Sequence, residues 1–229
     1  MIGRLNNFID LIRTIVTSGI ALSSLVFIDL LRTLFNSHLI ALAVTFFLVV
    51  LVSKFFESML INLIANSLKL RRLIMGQHFI EGYWVDKVIG EDPDKVDSVA
   101  IFQIRIYKMQ YEVSGESLKP DGFQLGTFKT YISEYEDFKL RYAYDAINSR
   151  MPGQSIEGYG EYQFEPGKNY PIKFAGFLHD SYHLKKIGIQ AEKIMNQEWI
   201  FSLEDQKTRK QAIQSFLRGE LNSNDTTSS

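Results

Sequence analysis

SVAIFQIRIYK, residues 98–108, alternates with a period of two: Ala100, Phe102, Ile104 and Ile106 fall on one side, Gln103, Arg105 and Tyr107 on the other. Successive side chains of an extended chain point to opposite faces, so this alternation predicts a half-buried β-strand. The pattern continues outward in both directions. Strands are expected at 79–88, 98–108, 109–118, 123–133, 138–147, 156–165, 172–180 and 184–194. Turn-forming clusters separate them: GEDPD at 90–94, KPDG at 119–122, MPG at 151–153 and EPGK at 165–168. Eight short strands with hairpin-length connections predict an antiparallel meander. Closed on itself, it is an eight-stranded up-and-down β-barrel of lipocalin-like form. A two-sheet sandwich is the competing arrangement. The last strand is ambiguous, because LKKIGIQAEKIM at 184–195 reads equally as helix.

Downstream, Ser202-Leu-Glu-Asp205 has the form of a capping box, with Ser202 as cap and Asp205 reaching back. It opens an expected C-terminal helix whose sparse apolar side is Ala212, Ile213, Phe216 and Leu217. The helix should end near Gly219, and 222–229 have the composition of a disordered tail.

Upstream the chemistry changes. LIALAVTFFLVVLVS, residues 39–53, carries no formal charge. As a helix it spans roughly 22 Å against a bilayer core of about 30 Å. Residues 34–38 extend it backward, and the stem of Lys54 can carry its ammonium to the headgroups. A second uncharged stretch, TIVTSGIALSSLVFI, occupies 14–28. Two such segments predict a transmembrane hairpin, with a buried core helix as the plainer reading. FIDLIRT at 8–14 recurs as FIDLLRT at 27–33, each copy placing an Asp and an Arg three residues apart on one helical face. Asn36-Ser37 is the expected turn and N-cap. Cationic flanks before the first span and after the second place both termini in the cytosol by the positive-inside rule. Between 55 and 70, apolar residues spaced by three and four predict that the second helix continues as an amphipathic stalk. The stalk would carry Lys69, Arg71 and Arg72 near anionic lipid heads and end at Met75-Gly76-Gln77.

Charge divides the chain in the same way. Residues 1–78 hold seven Lys or Arg against three acids, a net of +4, so the remainder is −5 in a chain of net −1. All eleven tyrosines lie at or beyond Tyr83. The expected organisation is an anchor and stalk at 1–75, a cytosolic barrel at 76–200, and a C-terminal helix and tail at 201–229. The chain has no cysteine, which removes disulfides and cysteine-ligated metals. The first apolar segment is not followed by a polar mature region, so a cleaved signal peptide is not expected.

Gly82-Tyr83-Trp84 suggests an inward Trp plugging one end of the barrel, a packing role rather than a ligand contact. Gly158-Tyr-Gly160 reads as a bulge or tight bend, since no helix start follows it. His179-Asp-Ser-Tyr-His183 has ligand-type residues but spans a turn and lacks further close ligands, so no metal site is expected. Glu157 and Glu161 share a strand face, as solvated strands do routinely. No phosphate-cradling loop, nucleophile elbow or kinase signature occurs, so no catalytic residue and no cofactor is assigned. What remains is tyrosine with scattered cations: Lys129, Tyr131, Arg141, Tyr142, Tyr144, Arg150 and Tyr162. Aromatic faces stack planar bases, and Lys or Arg pairs with phosphate. The plainer explanation is that tyrosines fit pleated surfaces.

Two N-terminal apolar helices followed by a strand-rich barrel opening with Gly-x-Trp (Gly82 and Trp84) resemble the two-transmembrane β-barrel effectors of CBASS. These form the SMODS-associated 2TM, β-strand-rich effector family of bacterial antiphage systems. The resemblance is one of layout over roughly 8–200. It implies a bacterial inner-membrane protein whose barrel senses a cyclic dinucleotide made by a partner cyclic-nucleotide synthase. On sensing, the chain would homo-oligomerise and disrupt the lipid bilayer, killing the infected cell; no DNA or RNA polymer is implied as partner. The cyclic-dinucleotide site would then draw on Lys129, Tyr131, Arg141, Tyr142, Tyr144 and Tyr162, residues chosen by their chemistry rather than by the family. The rival readings are a membrane-tethered, lipocalin-like carrier of an apolar ligand and a structural anchor that recruits another protein.

Overall fold

The computed structural model describes residues 2–35, 37–89, 96–107, 110–149, 153–181, 186–195 and 206–221; within the first helix the side chains of 2–6, 25–27, 29–30 and 35 are outside the description. The chain forms two compact units, Ile2–Met75 and Gly76–Ser229.

The first unit contains α1 (Ile2–Phe35), α2 (His38–Asn66) and the short α3 (Leu68–Met75). Arg13 pairs with Asp10 one turn away at 2.9 Å, as the first repeat predicts, and also bridges to Glu57 on α2. The Asp29 side chain of the second repeat lies outside the described residues. Ser37 occupies the N-cap position of α2 with extended backbone, and its carbonyl accepts the Ala41 N–H at 3.1 Å. Its hydroxyl makes no capping bond, and Asn36 lies outside the described residues. Among the described residues one helix, α2, is long and apolar enough to cross a membrane. Its 29 residues correspond to about 44 Å at 1.5 Å per residue, and Leu39, Phe46, Phe47, Leu51 and Phe55 are exposed on it.

The expected continuous stalk is interrupted. Ser67 leaves the helical region (φ −109°, ψ 99°) and closes α2. Its hydroxyl accepts the Leu70 N–H at 3.2 Å and its carbonyl the Arg71 N–H at 3.0 Å, which starts α3 afresh. A serine offers the backbone this alternative to a straight helix. Arg71 is accordingly not a free headgroup cation. Its guanidinium turns back to donate to the Ile64 carbonyl at 3.0 Å and to that of Ala65, two of the acceptors a helix C-terminus leaves open. Lys69 and Arg72 are exposed.

The second unit is a closed barrel of β1 (Gly82–Ile89), β2 (Val96–Tyr107), β3 (Gln110–Leu118), β4 (Gln124–Glu136), β5 (Lys139–Asn148), β6 (Ser155–Phe164), β7 (Lys173–Asp180) and β8 (Ile187–Lys193). Each strand is antiparallel to the next, and β8 pairs with β1 to complete the ring. This decides for a barrel over a sandwich, and for strand over helix within 184–195: Ile189, Ala191 and Lys193 are buried on one face. Asp137 and Phe138, both at positive φ (47° and 61°), form the two-residue turn between β4 and β5. Such a turn matches the twist of the strands it joins. The GEDPD cluster, Met151-Pro152, the Ser202–Asp205 cap and the 222–229 tail lie outside the described residues.

A final helix, α4 (Gln206–Leu217), packs on the outer wall. Ala212 and Ile213 meet Val85, Val99, Ile101 and Leu118 in one buried cluster, and Arg209 pairs with Glu116. Hence β1 and β2 carry apolar residues on both faces: one parity fills the barrel, the other receives α4.

Candidate ligand-binding cavity

Inside the barrel, side-chain size falls from one end to the other. At the closed end Trp84 is fully buried, with Phe174 and Phe164 at ring-centroid distances of 5.2 and 5.3 Å. Its indole N–H donates to the Ile80 carbonyl at 3.0 Å. Phe174 in turn stacks on Tyr162 at 4.1 Å. This is the plug that Gly82-Tyr83-Trp84 predicts. The Lys193 ammonium lies 4.7, 4.9 and 5.5 Å from the ring centres of Tyr170, Phe79 and Trp84, a cation–π box. Gly82 is required beside it: its φ is 136°, and a Cβ there would come within 2.8 Å of Lys193 Cε.

Toward the other end β2, β3 and β5 present Ser98, Ala100, Ser117 and Ala146, and a cavity of about 810 Å³ opens among them. Small-molecule sites commonly occupy roughly 300–1,000 Å³. Two tyrosines shape its wall. In the β5–β6 ladder Tyr142 faces Gly160 and Tyr144 faces Gly158. A Cβ on either glycine would come within 2.5 Å of the facing ring. The glycines therefore mark no bulge, since the β5–β6 register runs unbroken. They are the slots that the phenol ends of Tyr142 and Tyr144 occupy, the two rings tilted 41° to each other with centres 5.9 Å apart.

The floor is polar. Asp86, 2% exposed, follows Trp84 on the inward parity of β1, and its Oδ1 accepts the Ala100 N–H at 3.0 Å. Burial raises its pKa to about 7 against the opposing pull of that hydrogen bond. Tyr142 and Tyr162 stand beside it with ring centres 4.6 Å apart and hydrogen-bonded hydroxyls. Burial holds both phenols well above the ordinary value, and the neighbouring Asp86 charge adds to it. Burial also raises Tyr144, with Asp180 contributing. At the mouth stand Asp97, Asp180 and Lys186; the Lys186 ammonium sits 4.1 Å from the Phe177 ring centre.

Of the six residues chosen from sequence, the fold brings Tyr142, Tyr144 and Tyr162 into this cavity. It places the other three on the outer surface. Lys129 is exposed and pairs with Glu112 at 3.0 Å. Tyr131 is the unpaired residue of an irregularity between Thr130 and Ile132 and is 58% exposed. Arg141 pairs with Glu161 at 3.1 Å and lies 3.9 Å from Glu134. Arg150, Tyr182 and His183 lie outside the described residues; His179 packs against Tyr159 at 5.3 Å. Among the described residues no three His, Cys, Asp or Glu are placed to hold a metal ion. The sequence motifs include neither Asp86 nor Asp97, and Asp180 enters them only within His179-Asp-Ser-Tyr-His183, read as a turn without a metal. For Asp86 a signal exists, since it shares parity with Trp84 and Val88.

The wall can stack a planar group on tyrosine and the floor can accept hydrogen bonds. Comparison with known proteins adds no relative: no family model and no curated protein matches the chain.

Proposed function

We propose that this protein is a membrane-anchored sensor, in which a cyclic dinucleotide enters the barrel and the N-terminal helices answer by assembling in the bilayer. The observation that carries the reading is the cavity itself: about 810 Å³, with Tyr142 and Tyr144 seated over glycines on its wall and a buried carboxyl in its lining. Aromatic walls suit nucleobases, whose π-faces stack whatever their sequence. Lys186 also lines the mouth, its ammonium resting on the Phe177 ring. The layout resemblance supplies the rest. In this reading α1 and α2 form a two-span hairpin in the bacterial inner membrane with both termini cytosolic. A synthase provides the signal, and ligand-driven homo-oligomerisation disrupts the bilayer in infected cells as a CBASS effector would. Ligand shifts that equilibrium only as far as it binds the assembled form more tightly. Small residues on α1, among them Ser18, Gly19, Ala21, Ser23 and Ser24, permit close helix contact. The reading assigns the chain no catalytic step.

The test uses full-length protein reconstituted in dye-loaded vesicles. A cyclic dinucleotide at a hundredfold excess over Kd should stabilise the protein by about 2.7 kcal/mol and release dye. Phe46→Arg, a charge in the middle of α2, carries an insertion cost of about 2.5–3.5 kcal/mol; it should retain binding and lose leakage. A second reading has its own observation: Val88, Ile89, Leu125, Phe128, Ile156 and Leu178 also line the cavity, which favours an apolar ligand. Stabilisation by a fatty acid and by no cyclic dinucleotide would decide for it.

A further inference from the structure

The cavity is rich in acceptors. Three carboxyls line it, Asp86 at the floor and Asp97 and Asp180 at the mouth, with the hydroxyls of Ser98, Ser117 and three tyrosines; Lys186 is the cation among the described lining residues. An ionised carboxylate accepts hydrogen bonds and donates none. A buried acceptor left unpaired is costly, so an acceptor-lined site selects a ligand with complementary N–H donors and rejects one without them. Asp86 is the member that water cannot serve freely, since its residue is 2% exposed. The Ala100 N–H takes Oδ1, and the Asp86 residue lines the cavity. Tyr142 and Tyr162 stand near the carboxyl, their ring centres 4.6 Å apart.

Among nucleobase edges, guanine alone sets an N–H and an NH₂ side by side as two adjacent donors. Adenine offers one donor beside an acceptor, and uracil one N–H between two carbonyls. We infer that the floor of the cavity is a guanine subsite, in which the Asp86 carboxylate accepts the base's N1–H and exocyclic amine while Tyr142 and Tyr144 cover its face. The inference rests on the cyclic-dinucleotide reading and narrows it to guanine-containing ligands. It also fixes a direction with pH. Burial keeps Asp86 partly protonated near pH 7 in the empty cavity, and a donor edge binds only the ionised form, so binding expels a proton. The other groups facing the carboxyl are Tyr142 on β5 and Tyr162 on β6, both held far above this range by burial. Asp97, Asp180 and Lys186 stand at the mouth. Lys193, on the other side, directs its ammonium to the closed-end rings.

Isothermal titration of the full-length protein in nanodiscs tests this with cyclic di-GMP, cyclic di-AMP, cyclic di-UMP and guanosine. Cyclic di-GMP should bind at least tenfold tighter than the adenine and uracil compounds. Its affinity should rise about tenfold from pH 6 to pH 8 and then level off. Asp86→Asn, which keeps an oxygen for the Ala100 N–H, should lose at least tenfold in affinity and abolish the pH slope. Asp97→Asn and Asp180→Asn should keep the slope. Should Asp86→Asn fail to fold, the wild-type pH slope and base preference still decide. Tight binding of cyclic di-AMP or cyclic di-UMP with no preference for guanine, or affinity that falls with pH, overturns the guanine subsite while leaving the sensor reading intact. Guanosine binding with the predicted slope, and no binding of any cyclic dinucleotide, upholds the subsite and overturns the sensor.

Discussion

The two ends of the barrel are built on the same strands and differ in what each strand places inside. On β1 the inward series runs Trp84, Asp86, Val88; on β6 it runs from Phe164 and Tyr162 to Gly160 and Gly158; on β7 from Phe174 to Gly176 and Leu178. The large residues meet at one end and exclude everything else. Toward the other, small residues stand among aliphatic ones such as Val88 and Leu178 and leave about 810 Å³. Closed interiors are packed to crystal-like density, so unfilled volume has a cost. The closed end is where the barrel gains its stability. The open end gives some of it up in exchange for a site, and each half fails in its own way when altered.

The largest effect is expected from emptying the closed end. Trp84→Ala removes the central ring of the plug and should cost about 3–5 kcal/mol, read by denaturant titration of the full-length protein. A cost below about 1 kcal/mol would mean that the plug does not hold the barrel together. Next comes the charge at the open end. The Asp86 pKa is raised from 3.8 to about 7, so between those values the folded state binds more protons than the unfolded one, and stability falls as pH rises. Above pH 7 the penalty is complete, about 4 kcal/mol by linkage as an upper figure. Asp86→Asn should therefore be near neutral at pH 4 and more stable than wild type at pH 8. A difference that does not change with pH would show the carboxyl to be solvated.

A smaller change sharpens the role of the glycine slots. Gly160→Ala puts a methyl where Tyr142 lies, 2.5 Å from its ring carbon and hydroxyl. The ring must swing toward the cavity, at a cost of about 1–3 kcal/mol for overpacking. Ligand affinity should fall at least tenfold while the β circular-dichroism signal persists. Gly188→Ala is the comparator, because its Cβ would meet nothing within 4 Å, and it should leave stability unchanged.

Alternation makes the strands legible because each strand has a filled side and a wet one. It also makes Trp84 legible as an inward plug. Three features are not carried by periodicity. Alternation groups Lys129 with Tyr131 and Tyr142 with Tyr144, but tyrosines stand on both sides of β4–β6, Tyr131 and Tyr159 exposed and Tyr142, Tyr144 and Tyr162 buried, so residue type does not mark the inward set. Gly158 and Gly160 become slots only through pairing with a strand some sixteen residues earlier, and register is a property of the closed ring rather than of either segment. Ser67 sits in a helical pattern of threes and fours and breaks it through one hydroxyl and one carbonyl. Asp86 is legible in principle: an acid on the parity of a buried Trp must be paired, protonated or functional.

The smallest effect separates the outside of the barrel from the inside. Lys129 and Arg141 carry the charge that a phosphate-binding surface needs, and their neighbour Tyr142 lies within the cavity. Yet each cation already has a carboxylate partner on the outer face, Glu112 at 3.0 Å and Glu161 at 3.1 Å. Strand parity turns Arg141 away from Tyr142, so reaching the cavity would mean passing through the wall. Both cations are exposed, and Glu112, itself buried, keeps Arg105 as partner when Lys129 is removed, so each pair contributes about 0–1 kcal/mol. Lys129→Ala and Arg141→Ala should thus each change stability by less than about 1 kcal/mol and leave cyclic-dinucleotide affinity within twofold, at low and at physiological salt. Tyr142→Phe, altering a hydroxyl beside Asp86, should weaken binding more than either. If instead the two cation variants abolish binding and Tyr142→Phe does not, the ligand sits on the outer wall of β4 and β5. The graded interior would then be a packing feature with no part in recognition.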